Sequence, residues 1–152
     1  METVSDSEKI VFDWIPLERV GPFVFGDLIE KYCDKFKLKQ IPEEYNEKVG
    51  WQVWRKDSRF SVFSERERIV AVSCSTSCNY RNIDLIGISV KDVISILDTI
   101  PDSVEMIHLV EGPQKVYDFD DLELQLWAKN DVVETAICSG PFGGETGPHL
   151  KK

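Results

Sequence analysis

The sequence contains no long apolar run and no recognisable leader. Residues 1–9 read Met-Glu-Thr-Val-Ser-Asp-Ser-Glu-Lys, which has neither a basic leader nor an apolar signal core. No later stretch approaches the roughly 20 apolar residues that a membrane-spanning helix requires. We therefore expect no membrane association and predict a cytoplasmic protein.

Histidine is scarce, which limits the chemistry available to a nucleophile. The chain has two histidines, and one of them, His149, lies in a segment rich in glycine and proline. A cysteine nucleophile needs a nearby histidine as its base. His108 stands between Ile107 and Leu109 in a predicted strand, where a half-exposed histidine without a catalytic role is the plainer interpretation. The residues therefore favour a protein that is not an enzyme.

The four cysteines do not form the sequence pairs that bind metals or make reactive sites. Cys74 and Cys78 are separated by three residues, whereas zinc knuckles and thioredoxin-like sites use a gap of two. Cys33 and Cys138 are distant in sequence, so no second ligand pair is evident. The segment from Gly140 to Gly147 lacks the lysine and following helix of a phosphate-binding loop. We expect free thiols, no metal and no cofactor.

An enzyme is the alternative that the sequence leaves open. Its catalytic groups would be carboxylates or Cys74, placed in a pocket that no motif reveals. A depressed thiol pKa or a tightly held metal would favour this alternative.

Basic residues are outnumbered, with 18 lysines and arginines against 27 acidic residues and a formal net charge of −9. This charge has the wrong sign for neutralising phosphates, so we expect no direct binding of nucleic acid. Opposite net charge accelerates the encounter of two proteins. The composition therefore predicts a cationic protein partner.

Most of the negative charge lies in one window, from Asp98 to Glu123, which holds eight acidic residues and one lysine. Strand alternation within the window would place Asp118 and Asp120 on one side of a strand. A solvated strand face is the plain interpretation, and a carboxylate site for a metal or a glycoside is the alternative. Tryptophan beside charge is typical of interface hot spots. We predict that the partner binds to Glu111, Asp118, Asp120, Asp121, Glu123 and Trp127.

The 152 residues fit one domain with a short segment at each end. Residues 1–9 are polar and predicted to be flexible, and residues 139–152 form a glycine- and proline-rich tail. Residues 10–138 form the predicted domain. Two segments within it have the spacing of an amphipathic helix face, first at Ile29, Tyr32, Cys33 and Phe36, and again at Val90, Val93, Ile94 and Leu97.

Each predicted helix is followed by a linker and a predicted hairpin. The first hairpin runs from Phe60 to Cys74, and the second runs from Leu124 to Cys138, sixty-four positions later. The matching positions suggest a duplicated unit of strand, helix and hairpin, and coincidence between two ordinary segments is the alternative. We predict an α+β fold, with a mostly antiparallel sheet and two short amphipathic helices on one face.

The segment Ile83-Asp-Leu-Ile-Gly-Ile-Ser-Val-Lys-Asp-Val-Ile-Ser-Ile-Leu97, followed by an acidic hairpin, resembles small bacterial immunity proteins that are encoded beside toxin domains. These include the immunity proteins of contact-dependent growth inhibition systems. The resemblance covers residues 83–138 and carries over no binding residue. It implies a cytoplasmic, non-catalytic protein that binds and neutralises a cognate toxin, often a basic nuclease. A regulatory adaptor is a further alternative.

Overall fold

The structure, a computed structural model, describes residues 10–45 and 50–141. Its main element is an eight-stranded antiparallel sheet, which is accompanied by a three-stranded sheet, a strand pair and two short helices. The small sheet contains β1 (Trp14–Ile15), β2 (Arg19–Val20) and β3 (Phe23–Val24), and the strand pair contains β8 (Asn79–Tyr80) and β9 (Ile83–Asp84). The large sheet contains β4 (Lys39–Gln40), β5 (Gln52–Arg55), β6 (Phe60–Glu65), β7 (Arg68–Cys74), β10 (Ser103–Leu109), β11 (Gly112–Phe119), β12 (Leu124–Lys129) and β13 (Val132–Ser139).

The two predicted helices are confirmed as α1 (Glu30–Phe36) and α2 (Val90–Leu97). The hydroxyl of Ser89 caps α2 by accepting a hydrogen bond of 3.1 Å from the Asp92 amide. Neither helix has the length and apolar composition needed to cross a bilayer.

Both predicted hairpins are present, as β6 with β7 and as β12 with β13. Each has a shift of register at an equivalent position, after Phe63 in the first hairpin and after Trp127 in the second. The strand order across the sheet is β10, β11, β12, β13, β7, β6, β5, β4. Four strands that follow α1 thus form one half of the sheet, and four strands that follow α2 form the other half.

In both halves, the glycine that precedes the helix forms the same backbone hydrogen bond with the hairpin. The Gly26 amide donates to the Ile69 carbonyl, and the Gly87 amide donates to the Val133 carbonyl, each at 2.8 Å. Both glycines have positive φ angles, 93° and 92°, which a residue without a Cβ adopts without strain. The repeat that the sequence suggests is therefore present in the backbone geometry.

The two halves meet at the pairing of β7 with β13. Ser73 and Ile137 occupy the same position of the repeat, and they are directly opposite each other at this junction. On either side, Val72 pairs with Cys138 and Cys74 pairs with Ala136. Val72 is equivalent to Ala136 in the repeat, and Cys74 is equivalent to Cys138, so the two pairs are related to each other as by a twofold axis. This axis passes between Ser73 and Ile137.

The hydrophobic core lies between one face of the large sheet and the two helices. It includes Phe60 of the first half, Leu126 of the second, Val93 of α2 and Phe23 of the small sheet in a single cluster. We call this sheet face the inner face. The predicted α+β class, with both helices on one face of a mostly antiparallel sheet, is confirmed.

The C-terminal boundary differs from the predicted one. Ser139, predicted to begin the tail, is the last residue of β13 and pairs with Ala71. The Gly140 amide still donates to the Val70 carbonyl. The predicted flexible N-terminus, residues 1–9, and the tail from residue 142 onward lie outside the described residues.

Candidate binding face around Trp127

The second face of the large sheet, the outer face, is crossed by a row of mostly polar side chains. Alternation along each strand directs one set of side chains to the core and leaves the other set on this face. The row runs through six neighbouring strands at Ser61, Ser73, Ile137, Gln125, Asp118 and Ser103.

A chain of hydrogen bonds at one end of this row fixes the position of Trp127. The indole Nε1 of Trp127 donates to Gln125 Oε1 at 2.8 Å, and Gln125 Nε2 donates to Asp118 Oδ1 at 2.9 Å. The Ser103 hydroxyl donates to the other oxygen of Asp118 at 3.0 Å. Each side chain in the chain limits the rotamers of the next, so the half-buried indole is held in one orientation.

A groove of about 550 Å³ lies beside Trp127, above the junction of the two halves. Ser73 and Ile137, which mark the axis, both line it. Five of the nine lining side chains carry hydroxyl groups, namely Ser58, Ser61, Ser73, Ser75 and Thr135. The groove therefore offers hydrogen-bonding groups along its floor and one large aromatic ring at its edge.

The charged side chains of the groove are already paired. Arg55 forms a bidentate salt bridge with the Glu44 carboxylate, with hydrogen bonds of 2.8 and 2.6 Å. Its Nε donates to the Ser61 hydroxyl at 2.9 Å. The hydrogen bonds from Arg55 lower the pKa of Glu44. Arg59 acts in the same way on Asp57 and lowers the pKa of that carboxyl group. The described residues that line the groove include no histidine and no cysteine.

The predicted acidic residues occupy three different settings. Asp118 lies on the outer face, but Asp120 and Asp121 lie in a single helical turn, Asp120–Leu122, which follows β11. The expectation that Asp120 shares a strand face with Asp118 is therefore wrong, because the strand ends at Phe119. The Asp120 amide instead donates to the Asp102 carboxylate at 2.7 Å. Glu123, with a φ of 52°, connects this turn to β12.

Glu111 is separated from the other predicted residues. It lies in the two-residue loop between β10 and β11, at the opposite end of β11 from Asp118. Six residues of extended chain lie between Glu111 and Asp118, which corresponds to roughly 20 Å. The structure therefore brings together Asp118 and Trp127, and it leaves Glu111 outside this group.

A second acidic side chain accompanies Trp127 on the outer face. Glu105 pairs with Val116 across β10 and β11, and Val116 pairs with Trp127 across β11 and β12. Glu105 thus lies in the same cross-strand row as the indole. The sequence placed it within the acidic window but gave no reason to single it out.

Gln125 and the serines of the groove were missed by reasoning from the sequence. The signal was present, because Leu124, Leu126 and Ala128 are buried and alternate with Gln125 and Trp127. Such alternation indicates the outer face of a half-buried strand. The strand order, which brings Ser61 and Ser73 to the same groove as Trp127, could not be obtained in that way.

Three of the four cysteines gather in the core rather than in a groove. The Sγ atoms of Cys78 and Cys138 lie 3.8 Å apart, and Cys74 is also fully buried nearby. Burial raises the pKa of Cys138, whereas hydrogen bonds from the thiols of Cys138 and Cys74 lower the pKa of Cys78. Because Cys78 is completely buried, a lowered pKa gives it no access to a substrate. Across residues 10–45 and 50–141, no group of three or more His, Cys, Asp or Glu side chains is arranged to hold a metal.

Comparison with known proteins gives a fold and no family. No family model matches the sequence, and no curated protein matches it. A cysteine-rich secretory protein from Staphylococcus aureus subsp. aureus Mu50 has a similar structure, with a TM-score of 0.51 and 17% identity over 83% of this chain. An extracellular protein containing an SCP domain from Bacillus anthracis str. Ames gives a TM-score of 0.49 and 10% identity over 77% of this chain. This chain spans less than half of either structure, 47% and 44% respectively.

The structure with the TM-score of 0.51 corrects the functional predictions made from the sequence. It is a cysteine-rich secretory protein and not an immunity protein, so the resemblance to that class and the prediction of toxin neutralisation are wrong. The predicted cytoplasmic location is also wrong, since that similar protein is described as secretory. At such low identity the likeness shows a shared fold and assigns no activity to this chain.

Proposed function

We propose that this domain is a non-catalytic protein-binding module whose outer sheet face, centred on Trp127, binds a cationic segment of another protein. The main support is the hydrogen-bonded chain through Gln125 and Asp118, which holds the half-buried indole at the edge of a groove. An aromatic ring that is already oriented loses little conformational entropy when a partner covers it. Tryptophan is also enriched among the residues that dominate binding energy at interfaces.

The charge of the face supports a cationic partner. Asp118 and Glu105 lie on the same side of Trp127, away from the groove, and the whole chain has a formal net charge of −9. A lysine or arginine of the partner would meet carboxylates there and could also stack against the indole. The long-range field would accelerate association at low ionic strength.

The absence of a catalytic role is part of the proposal. In the groove, Arg55 and Asp57 are each engaged by a partner of opposite charge. Cys74, the cysteine that the enzyme alternative would use, lies in the core and is shielded from the groove. A binding role for the hydroxyl groups and the indole agrees better with these surroundings than acid or base chemistry does.

Binding can be tested with a synthetic basic peptide that alternates glycine with lysine and arginine, called here the flexible peptide. Titration calorimetry and tryptophan fluorescence would report its affinity for the full chain. We expect Trp127→Leu to weaken binding by about tenfold, the effect of losing roughly 1.4 kcal/mol at a hot spot. The matched control is Phe63→Leu, because Phe63 occupies the equivalent position in the other half of the sheet.

The charge contribution needs its own pair of variants. Asp118→Asn should slow association at an ionic strength of about 0.01 M and have little effect at about 0.15 M, where screening is stronger. Asp92→Asn changes the net charge equally, but Asp92 is an exposed residue of α2, away from the outer face. Equal effects of the two charge variants, or equal effects of Trp127→Leu and Phe63→Leu, would contradict the proposed site.

A further inference from the structure

One edge of the large sheet has no pairing strand among the described residues. β10 ends the sheet, is seven residues long and pairs with β11 alone. All seven residues are exposed or half-exposed. A strand in this position presents a row of backbone amide and carbonyl groups that can pair with another chain.

The strand at the opposite edge of the sheet, β4, has features that disfavour pairing with another chain. β4 contains two residues, one of them Lys39, and Lys37 lies just before it. A short edge strand with lysines is unfavourable for pairing with another chain. β10 has no lysine, no proline and no shift of register along its pairing with β11. The edge that can accept another strand is therefore the one in the half of the sheet that contains the acidic window.

The pairing with β11 determines which backbone groups of β10 are free. Leu109 and Gly112 flank a two-residue loop, and such a flanking pair is the hydrogen-bonded kind. Because hydrogen-bonded and non-bonded pairs alternate, Glu105 and Ile107 also bond to β11. The backbone groups of Val104 and Met106 therefore point away from the sheet.

The two faces of this edge differ in chemistry. Val104 and Met106, whose side chains are on the inner side, are 52% and 47% exposed. Glu105 lies on the outer side, and Asp118 of the neighbouring strand lies on the same side. A strand added at this edge would therefore gain by placing apolar side chains opposite Val104 and Met106, and basic side chains on the outer side.

We propose that β10 is a strand-addition site, which pairs with an extended segment of a partner protein that alternates apolar and basic side chains. This inference rests on the proposed function for the charge of the partner, and adds the place and the backbone conformation in which it binds. Main-chain hydrogen bonds supply affinity in this mode of recognition, and alternate side chains supply specificity.

Charge argues against a second copy of this chain as the occupant. An antiparallel pair of β10 strands centred on Met106 would bring Glu111 of one copy beside Asp102 of the other. Each copy also has a formal net charge of −9. A basic segment avoids both kinds of repulsion, since its charge is opposite to that of the edge.

The inference can be tested with an eight-residue peptide of alternating lysine and valine, the alternating peptide. In the proposed pairing its valines lie opposite Val104 and Met106, and their amides point toward β10. N-methylation of the valines should therefore abolish binding, whereas N-methylation of the lysines should leave affinity within about twofold. Both modified peptides keep the same charge and side chains.

Variants of Met106 provide the complementary test. Met106→Pro removes an outward-facing amide and spares the pairing with β11, so we expect the fold to persist and affinity for the alternating peptide to fall at least about tenfold. Met106→Thr keeps the amide and should bind within about twofold of the native chain. Far-UV circular dichroism would verify that both variants fold.

Several outcomes separate this inference from the proposed function. Unchanged binding to Met106→Pro, or equal affinity for the two N-methylated peptides, would overturn strand addition at β10. If the flexible peptide still depends on Trp127, the proposed function survives that result. A dimer in sedimentation experiments that Met106→Pro dissociates would identify a second copy as the occupant and overturn the inference.

Discussion

If the two halves of the sheet share one core, a cavity in either half should destabilise the whole domain. Leu126 and Val62 occupy equivalent positions of the repeat on the inner face, and both are fully buried. They belong to the same cluster, which also contains residues of the small sheet and of both helices. Leu126→Ala and Val62→Ala are therefore matched perturbations, one in each half.

The expected magnitudes follow from the carbon atoms removed. Leu126→Ala deletes three buried carbons, which corresponds to about 2.4 kcal/mol of lost transfer free energy, and a residual cavity adds to this cost. We expect a loss of about 3 kcal/mol for Leu126→Ala. Val62→Ala deletes two carbons, and we expect about 2 kcal/mol. For a domain of this size the first change lowers Tm by roughly 6 to 12 °C.

Urea unfolding followed by two probes would check this prediction. Far-UV circular dichroism reports both halves, whereas native-state hydrogen exchange with mass spectrometry resolves them separately. One cooperative core predicts that Leu126→Ala accelerates exchange in β6 as much as in β12. Two separate transitions, or a loss of protection confined to β12, would refute the single core.

Three further predictions concern local features. Burial and a hydrogen bond to Asp27 raise the pKa of Tyr32 to about 12, so its contribution to stability is complete below about pH 10 and is lost as pH rises toward 12. Tyr32→Phe should flatten the urea midpoint over that pH range, and an unchanged profile would contradict the assignment. Ser89→Ala should cost about 1 kcal/mol in urea unfolding because the α2 cap is lost, and a cost near zero would exclude the cap as a stabilising contact. In the native protein, Cys33 should react with a disulfide reagent before the other three thiols, although slowly because burial raises its pKa, and rapid reaction of the three clustered thiols would show that the core opens.

The elements that the sequence predicted well are those determined by local periodicity. The apolar spacing of Ile29, Tyr32 and Phe36 specifies a helix face wherever the chain leads next, and the two hairpins show strand alternation with polar turns. Strand order depends on contacts between distant segments. The alternation of buried and exposed residues along β7 and β13 does not indicate that these two strands pair with each other.

The misleading resemblance has a physical explanation. In the segment from Ile83 to Leu97, Gly87 supplies a positive φ and Ser89 caps the helix that follows. Any chain that turns from an extended segment into a short helix meets these requirements. The pattern therefore reports a local conformation that unrelated proteins share, and it contains no information about a partner.

The acidic window was located by sequence, but its geometry was not. Neighbours along the chain became separated because β10 and β11 form a long hairpin, with Glu111 at one end and Asp118 at the other. Proximity in sequence predicts proximity in space only within one element. Gln125 joins Asp118 to Trp127 because β11 and β12 pair as antiparallel strands. This pairing belongs to the tertiary structure and cannot be obtained from the local sequence.

The junction between β7 and β13 has the form of an isologous interface contained within one chain. In a symmetric dimer, residue i of one subunit meets residue j of the other, and j meets i. Val72 with Cys138 and Cys74 with Ala136 obey that rule here, with Ser73 opposite Ile137 at the centre. Because both halves belong to one polypeptide, their association does not depend on protein concentration. The two sides of the junction are also free to differ, and an aromatic ring on one half of the outer face can acquire neighbours that the other half lacks.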